Sequence, residues 1–142
     1  MDIKTIDKAI TDIIEKKIAL SVLAYDHKDY DTIEEDLHDM EDDFIEKYGD
    51  HLEEILEKVH EDICPESDVL LPIAYLANKY IKTGKNADGT TSYDVDFKEG
   101  VWVEVEKYAN RDTRLVIIPN PTRIVLLIDG KGKEIVWQAG EE

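Results

Sequence analysis

The sequence predicts an α+β fold in which an N-terminal bundle of about four helices, residues 1–82, precedes a five-stranded antiparallel β-meander, residues 92–138. Up to residue 81, apolar residues recur at every third or fourth position, which is the spacing of one helix face. From residue 92 to residue 107 they recur at every second position, which is the spacing of one strand face. The length of 142 residues predicts a single domain, residues 1–142, and in it we expect the helices to pack on one face of the sheet.

Two apolar stripes predict the first two helices. The first helix should run from about residue 2 to residue 24, with a stripe made of Ile3, Ile6, Ile10, Ile13 and Ile14. The second helix should run from about residue 32 to residue 48, with a stripe made of Ile33, Leu37, Met40, Phe44 and Tyr48. Gly49 follows directly, and glycine is the usual residue just past a helix C-terminus, so we predict a helix end there.

A third and a fourth helix are predicted between Asp50 and Ile81. Asp50 is a suitable N-cap for the third helix, and Glu53 three residues later completes a capping box. Pro65 ends this helix, because the residue before a proline is pushed out of the α conformation. The fourth helix should cover about residues 68–81, with Pro72 in its first turn.

Residues 82–91 contain two glycines and several turn-forming residues, and they should form the loop between helices and strands. Five strands are predicted after it, at roughly 92–97, 101–107, 114–118, 123–129 and 133–138. The short connections between them favour an antiparallel meander. The second strand alternates clearly, with valines at 101, 103 and 105 on one side and Trp102, Glu104 and Glu106 on the other.

The strands at 114–118 and 123–129 are apolar on both faces, whereas a sheet backed by helices on one side should have a polar second face. Other parts of the same chain, or a second molecule, must therefore cover both sides. We favour cover from within the chain and keep a homodimer as the alternative. The contact residues of such a dimer would be Trp102 with Val116, Ile118, Val125 and Leu127, or the set on the opposite face.

The formal net charge of −17 is concentrated in one segment. Residues 26–68 contain 19 acidic residues and 3 lysines, a net charge of −16. Nucleic acids and anionic membranes bind to Lys and Arg, so this excess excludes both as partners of the segment and favours a basic protein partner. The predicted partner-binding surface consists of Glu34, Glu35, Asp39, Asp42, Asp43, Glu46, Glu53 and Glu54.

Residues that resemble catalytic or metal-binding motifs have a simpler structural interpretation. Glu35 with His38, and Glu57 with His60, have the Glu-x-x-His spacing of di-iron bundles. Helix geometry, however, places Glu35, His38 and Glu57 off the apolar faces and His60 only at the flank of one. Cys64, the only cysteine, has acidic neighbours that raise the pKa of a thiol. We therefore predict no catalytic residue, no metal site and no cofactor, and favour a protein that is not an enzyme.

Two functional hypotheses follow. The first is a small acidic protein-binding module with an inhibitor, immunity or chaperone-like role. The second is a small-molecule-binding domain or enzyme whose anion pocket lies between sheet and helices, near Trp102, Tyr108 and Arg111 or Arg114. A single cysteine forms no intrachain disulfide, and the longest nearly apolar stretch, residues 18–25, is too short to span a bilayer. We therefore expect a cytoplasmic location and no membrane partner.

Overall fold

The computed structural model describes residues 2–140, in which two α-helices precede six β-strands. The helices are α1 (Ile3–Ser21) and α2 (Tyr30–Ile63). The strands are β1 (Ile81–Lys85), β2 (Thr91–Asp94), β3 (Val101–Trp102), β4 (Thr113–Ile118), β5 (Arg123–Ile128) and β6 (Gly132–Gln138). Two short 3-10 helices, Pro72–Tyr75 and Glu106–Tyr108, lie between them. The α+β class is confirmed, whereas the predicted number of helices is wrong.

The first helix, α1, is anchored at its beginning and along its buried side. The Asp2 carboxylate caps it by accepting a hydrogen bond from the Lys4 backbone N–H at 3.0 Å. The buried residues are Ile6, Ile10, Ile13 and Ile14 of the predicted stripe. Asp7 accepts a hydrogen bond from the backbone N–H of Asn120, in the turn between β4 and β5, at 3.1 Å. This contact ties the first helix to the sheet.

The second and third predicted helices are one helix, α2, so the end predicted at Gly49 is wrong. Gly49 is buried within the helix, where glycine costs about 1 kcal/mol relative to alanine. The apolar stripe continues past it at helical spacing, and its buried members include Phe44, Leu52, Leu56 and Val59. Burial of this stripe offsets the glycine, because each fully buried leucine or phenylalanine contributes about 1.5–3 kcal/mol.

The prediction of a fourth helix at residues 68–81 is also wrong. Leu71 is extended, because a proline disfavours the α conformation of the residue before it, and only Pro72–Tyr75 forms a 3-10 turn. Leu76 is extended again and forms a parallel β-bridge with Ile117 on the edge of β4. The hydroxyl of Tyr80 then accepts a hydrogen bond from the Ala77 N–H and donates one to the Ile117 carbonyl. Contacts with the sheet replace the hydrogen bonds that a helix would have made.

The strands form two antiparallel sheets instead of one five-stranded meander. The first is the β1–β2 hairpin, and β1 lies where we predicted a loop. All five residues of β1 are exposed, so no apolar alternation marks the strand in the sequence. The second sheet has the order β3-β4-β5-β6. Its first strand ends at Trp102, although the predicted alternation continues, with Val103 and Val105 buried and Glu104 and Glu106 exposed.

The pairing register gives the four-stranded sheet two distinct faces. One row across the four strands consists of Val101, Leu115, Leu126 and Glu134. The adjacent row, which points to the opposite face, consists of Trp102, Arg114, Leu127 and Lys133. We refer to these as the Leu126 face and the Leu127 face.

The chain itself covers both faces. On the Leu127 face, the side chains of Lys133 and Arg114 donate hydrogen bonds to the carbonyls of Val95 and Lys98, each at 3.0 Å, so the segment after β2 crosses this face. On the Leu126 face, the last residue of α2, Ile63, lies close enough to Leu126 to line the same cleft.

Four of the residues suggested as dimer contacts therefore belong to the core. Val116, Ile118, Val125 and Leu127 have exposures of 0%, 2%, 4% and 1%, and they offer no surface to a second copy. Trp102, the fifth, is 57% exposed at the edge of the sheet. Within residues 2–140, neither helix has the length and apolar character needed to cross a membrane.

Candidate functional site

A continuous row of carboxylates runs along the outer side of α2. We call it the acidic stripe, and it consists of Glu35, Asp39, Asp42, Glu46, Asp50, Glu53, Glu57 and Glu61. These residues are three or four positions apart, so at about 100° per residue they share one helix face, opposite the buried stripe. Each of them is exposed. The helix is uninterrupted, so these charges are held in one fixed arrangement from end to end.

The predicted partner-binding surface overlaps this stripe. Seven of its eight residues are exposed, and Glu34 is half-buried at the flank of the apolar side. Asp43 is 3.1 Å from Lys47, and the hydrogen bond between them raises the pKa of the lysine. In the described part of the chain, the stripe carboxylates themselves have no Lys, Arg or His within ion-pair distance. The negative charge of the stripe is therefore not neutralised by ion pairs with the described residues.

The stripe ends at a cleft of about 840 Å³ beside the C-terminal end of α2. Six of the described residues that line it are acidic: Glu61, Asp62, Glu66, Glu104, Glu106 and Glu134. Apolar side chains also line it, among them Ile63, Val105, Leu126 and Val136. We call this feature the acidic cleft. It combines a high density of negative charge with apolar surface, which suits a ligand that is both cationic and partly apolar.

A buried hydrogen-bond network holds one wall of the acidic cleft in place. His60 is 2% exposed, and its Nδ1 lies 3.0 Å from the Ser67 carbonyl while its Nε2 lies 2.8 Å from the Tyr75 hydroxyl. A carbonyl only accepts, so Nδ1 carries the proton and, in the neutral ring, Nε2 accepts from Tyr75. The same hydroxyl accepts from the Leu70 N–H at 3.0 Å. The loop after α2 is thereby tied back to the helix.

Ser67 connects this wall to the opposite one. Its hydroxyl accepts a hydrogen bond from the Glu104 backbone N–H at 2.9 Å. Across the cleft, the Tyr108 hydroxyl donates a hydrogen bond to the Glu134 carboxylate at 3.3 Å, which joins the 3-10 helix Glu106–Tyr108 to β6. Both walls are therefore built by contacts between residues that are far apart in the chain.

We expect Tyr75→Phe to lower the free energy of unfolding by about 1–3 kcal/mol, because it leaves the buried His60 Nε2 and the Leu70 N–H without their partner. Urea denaturation followed by circular dichroism measures this change. Tyr25→Phe is the matched control, since the Tyr25 side chain is 82% exposed and its change should be near zero. Equal stabilities of the two variants would contradict the proposed role of the network.

The residues with nucleophilic or metal-binding chemistry are placed elsewhere or are already used. Burial raises the pKa of the Cys64 thiol to about 11, so it remains protonated at neutral pH. Glu35, His38 and Glu57 are exposed, and both ring nitrogens of His60 have protein partners. Within residues 2–140, no three His, Cys, Asp or Glu side chains are grouped so as to hold a metal ion.

The residues of the suggested anion pocket form two separate pairs instead of one pocket. Trp102 lies beside Arg114 on the Leu127 face, whereas Tyr108 lines the acidic cleft and its carbonyl accepts a hydrogen bond from the Arg111 N–H. Arg111 donates to the Asp129 carbonyl, and Arg114 pairs with the Asp112 carboxylate. The cleft that does exist between helix and sheet is negatively charged, which favours a cation over an anion.

Sequence reasoning missed the acidic cleft. The alternation around Glu104 and Glu106 correctly showed that both are exposed, but nothing local indicated that they approach Glu61 and Glu134. No protein-family model, curated protein sequence or solved structure matched the chain significantly.

Proposed function

We propose that this chain is a non-catalytic protein-binding module whose acidic stripe meets a basic surface of another protein. The observation that supports it is the stripe itself, a row of exposed carboxylates on a single helix, none of which forms an ion pair with another described residue. Inhibitor, immunity and chaperone-like roles are versions of this function. The proposed compartment is the cytoplasm, because the one cysteine is a buried free thiol.

The dimensions and charge of α2 favour a protein as the partner. Its 34 residues contain 15 carboxylates and two lysines. At ~1.5 Å per residue, the stripe from Glu35 to Glu61 is roughly 39 Å long, comparable to the span of a whole protein interface. Complementary charge on this scale accelerates association and disfavours wrong partners. It also repels nucleic acid, anionic membranes and a second copy of the same stripe.

We expect the wild-type chain to capture a basic protein from a lysate of its source organism at low salt, and to release it as the salt concentration rises, because exposed charges are screened. The triple variant Glu35→Gln, Glu46→Gln and Glu53→Gln, which neutralises three stripe carboxylates, should capture about tenfold less of it. Quantitative mass spectrometry of the captured protein measures both effects.

The control removes the same charge elsewhere. The control variant carries Asp12→Asn, Asp26→Asn and Asp88→Asn, which lie at exposed positions outside α2. Asparagine at position 88 keeps a side-chain oxygen that can accept the hydrogen bond from the Thr90 backbone N–H. This variant should capture the basic protein as well as the wild type does. Equal losses in the two variants would show that net charge alone attracts the protein, and the stripe would then serve solubility.

A further inference from the structure

We infer that the acidic cleft receives an extended basic segment of the partner, which adds as a strand to the free edge of β6. This inference rests on the proposed function and specifies how the partner is bound at one end of the stripe. It is supported by the charge of the cleft, by its apolar surface and by the strand that borders it.

The charge of the cleft selects a cationic occupant. Six of its described lining residues are acidic, whereas Lys107 is the one basic side chain in that lining. Glu61 belongs to both the stripe and the cleft, so the two negative surfaces are continuous. A basic surface that binds along the stripe can therefore extend its contacts into the cleft.

The apolar surface of the cleft selects a peptide segment over a simple cation. The accessible part of it comes from the exposed Pro65 and Ala109 and from the half-buried Ile63 and Val136. Lysine and arginine have long aliphatic stems that pack on apolar surface while their charged ends stay with carboxylates. A segment that alternates basic and small apolar residues matches both parts of the lining.

The border of the cleft provides a place for the backbone of this segment. The strand β6 is the last in the order β3-β4-β5-β6, and in residues 2–140 no other strand pairs with its second edge. Its residues Glu134 and Val136 line the cleft. A strand added to this edge would place every second side chain on the same side as Glu134, because side chains alternate along a strand.

The test uses an acetylated and amidated peptide with four Lys-Val repeats as the probe, and its binding is measured by isothermal titration calorimetry. We expect salt-sensitive binding to the wild-type chain. The same peptide N-methylated at every residue keeps the side chains and charge but lacks backbone N–H donors, and it should bind about tenfold more weakly. Equally tight binding of the methylated peptide would overturn the pairing with β6.

Substitutions in the cleft and away from it identify where the peptide binds. The cleft variant Glu66→Gln, Glu104→Gln and Glu106→Gln removes three exposed carboxylates and should weaken binding about tenfold. The control Asp12→Asn, Asp26→Asn and Asp88→Asn removes equal charge away from the cleft and should change it by less than about twofold. Circular dichroism spectra of both variants verify that they fold.

The stripe variant distinguishes this inference from the proposed function. A smaller loss of peptide affinity in Glu35→Gln, Glu46→Gln and Glu53→Gln than in the cleft variant supports the cleft as the binding site. Equal losses, or no binding to the wild type, overturn the inference. The lysate capture is measured separately, so it supports or refutes the role of the stripe whichever result the peptide gives.

Discussion

The Val125→Glu variant is expected to have no cooperative unfolding transition at room temperature. Val125 is 4% exposed in the middle of β5, between its cross-strand partners Val116 and Ile135. A carboxyl group placed there loses its hydration, which costs several kcal/mol on top of the lost apolar contacts. This cost is comparable to the whole stability of a small domain, about 5–15 kcal/mol.

Ile135→Glu is the matched control for this substitution. Ile135 pairs with Val125 across the strands, but it lies on the edge strand and is 55% exposed, so its stability should change by about 0.5 kcal/mol or less. Urea denaturation followed by circular dichroism, combined with light scattering, measures stability and mass together. A folded Val125→Glu monomer formed from a wild-type dimer would instead place Val125 at an interface between copies.

The Gly100→Ala variant is expected to lose more than about 3 kcal/mol of stability through a clash with the neighbouring strand. Gly100 has a φ of +87°, in the left-handed region that L side chains rarely adopt, just before β3. A Cβ atom there would be 2.4 Å from the backbone oxygen of Leu115 in β4. Relief of that contact requires β3 to separate from β4.

Gly89→Ala isolates the cost of the backbone conformation from the cost of the clash. Gly89 has the same φ of +87°, but no atom lies within 4 Å of the position that its Cβ would occupy. The alanine variant should therefore lose only about 1–2 kcal/mol. Thermal denaturation of both variants measures the difference between them. Equal losses would mean that the approach of β3 to β4 contributes nothing to the effect.

Local sequence patterns predicted the elements whose apolar residues are regularly spaced. The isoleucines of α1 and the continuous apolar runs of β4 and β5 identified buried residues correctly, because the rest of the chain covers one face of α1 and both faces of the two strands. The β1 strand was missed because it is fully exposed and has no such pattern. Its pairing with β2 is a property of the hairpin as a whole.

Local capping rules failed where long-range packing opposed them. Gly49 has the features of a helix terminator, yet the buried stripe continues at helical spacing from Phe44 to Leu52 and Ile55. This continuity was present in the sequence and outweighs the glycine. Residues 68–81 have helical spacing, but Leu76 pairs with Ile117 and Tyr80 bonds to the same strand, and neither contact is visible in the local pattern.

The candidate functional site also has one part that the sequence predicted and one part that it did not. The exposed side of α2 followed from helical spacing, so most of the predicted partner surface coincides with the acidic stripe or borders it. The acidic cleft did not follow, because Glu66, Glu104 and Glu134 come from three distant segments. The burial of His60 was missed as well, since its partners Ser67 and Tyr75 lie beyond the end of its helix.

The sequence by itself determined the α+β class, the charge of one segment and the buried faces of α1, β4 and β5. These depend on residues within one or two turns of each other, and spacing alone reveals them. Only the tertiary structure decided that α2 is unbroken, that the chain covers both faces of its own sheet, and that carboxylates converge at the end of the long helix. Such features depend on which distant segments pack together, and a local pattern does not encode that choice.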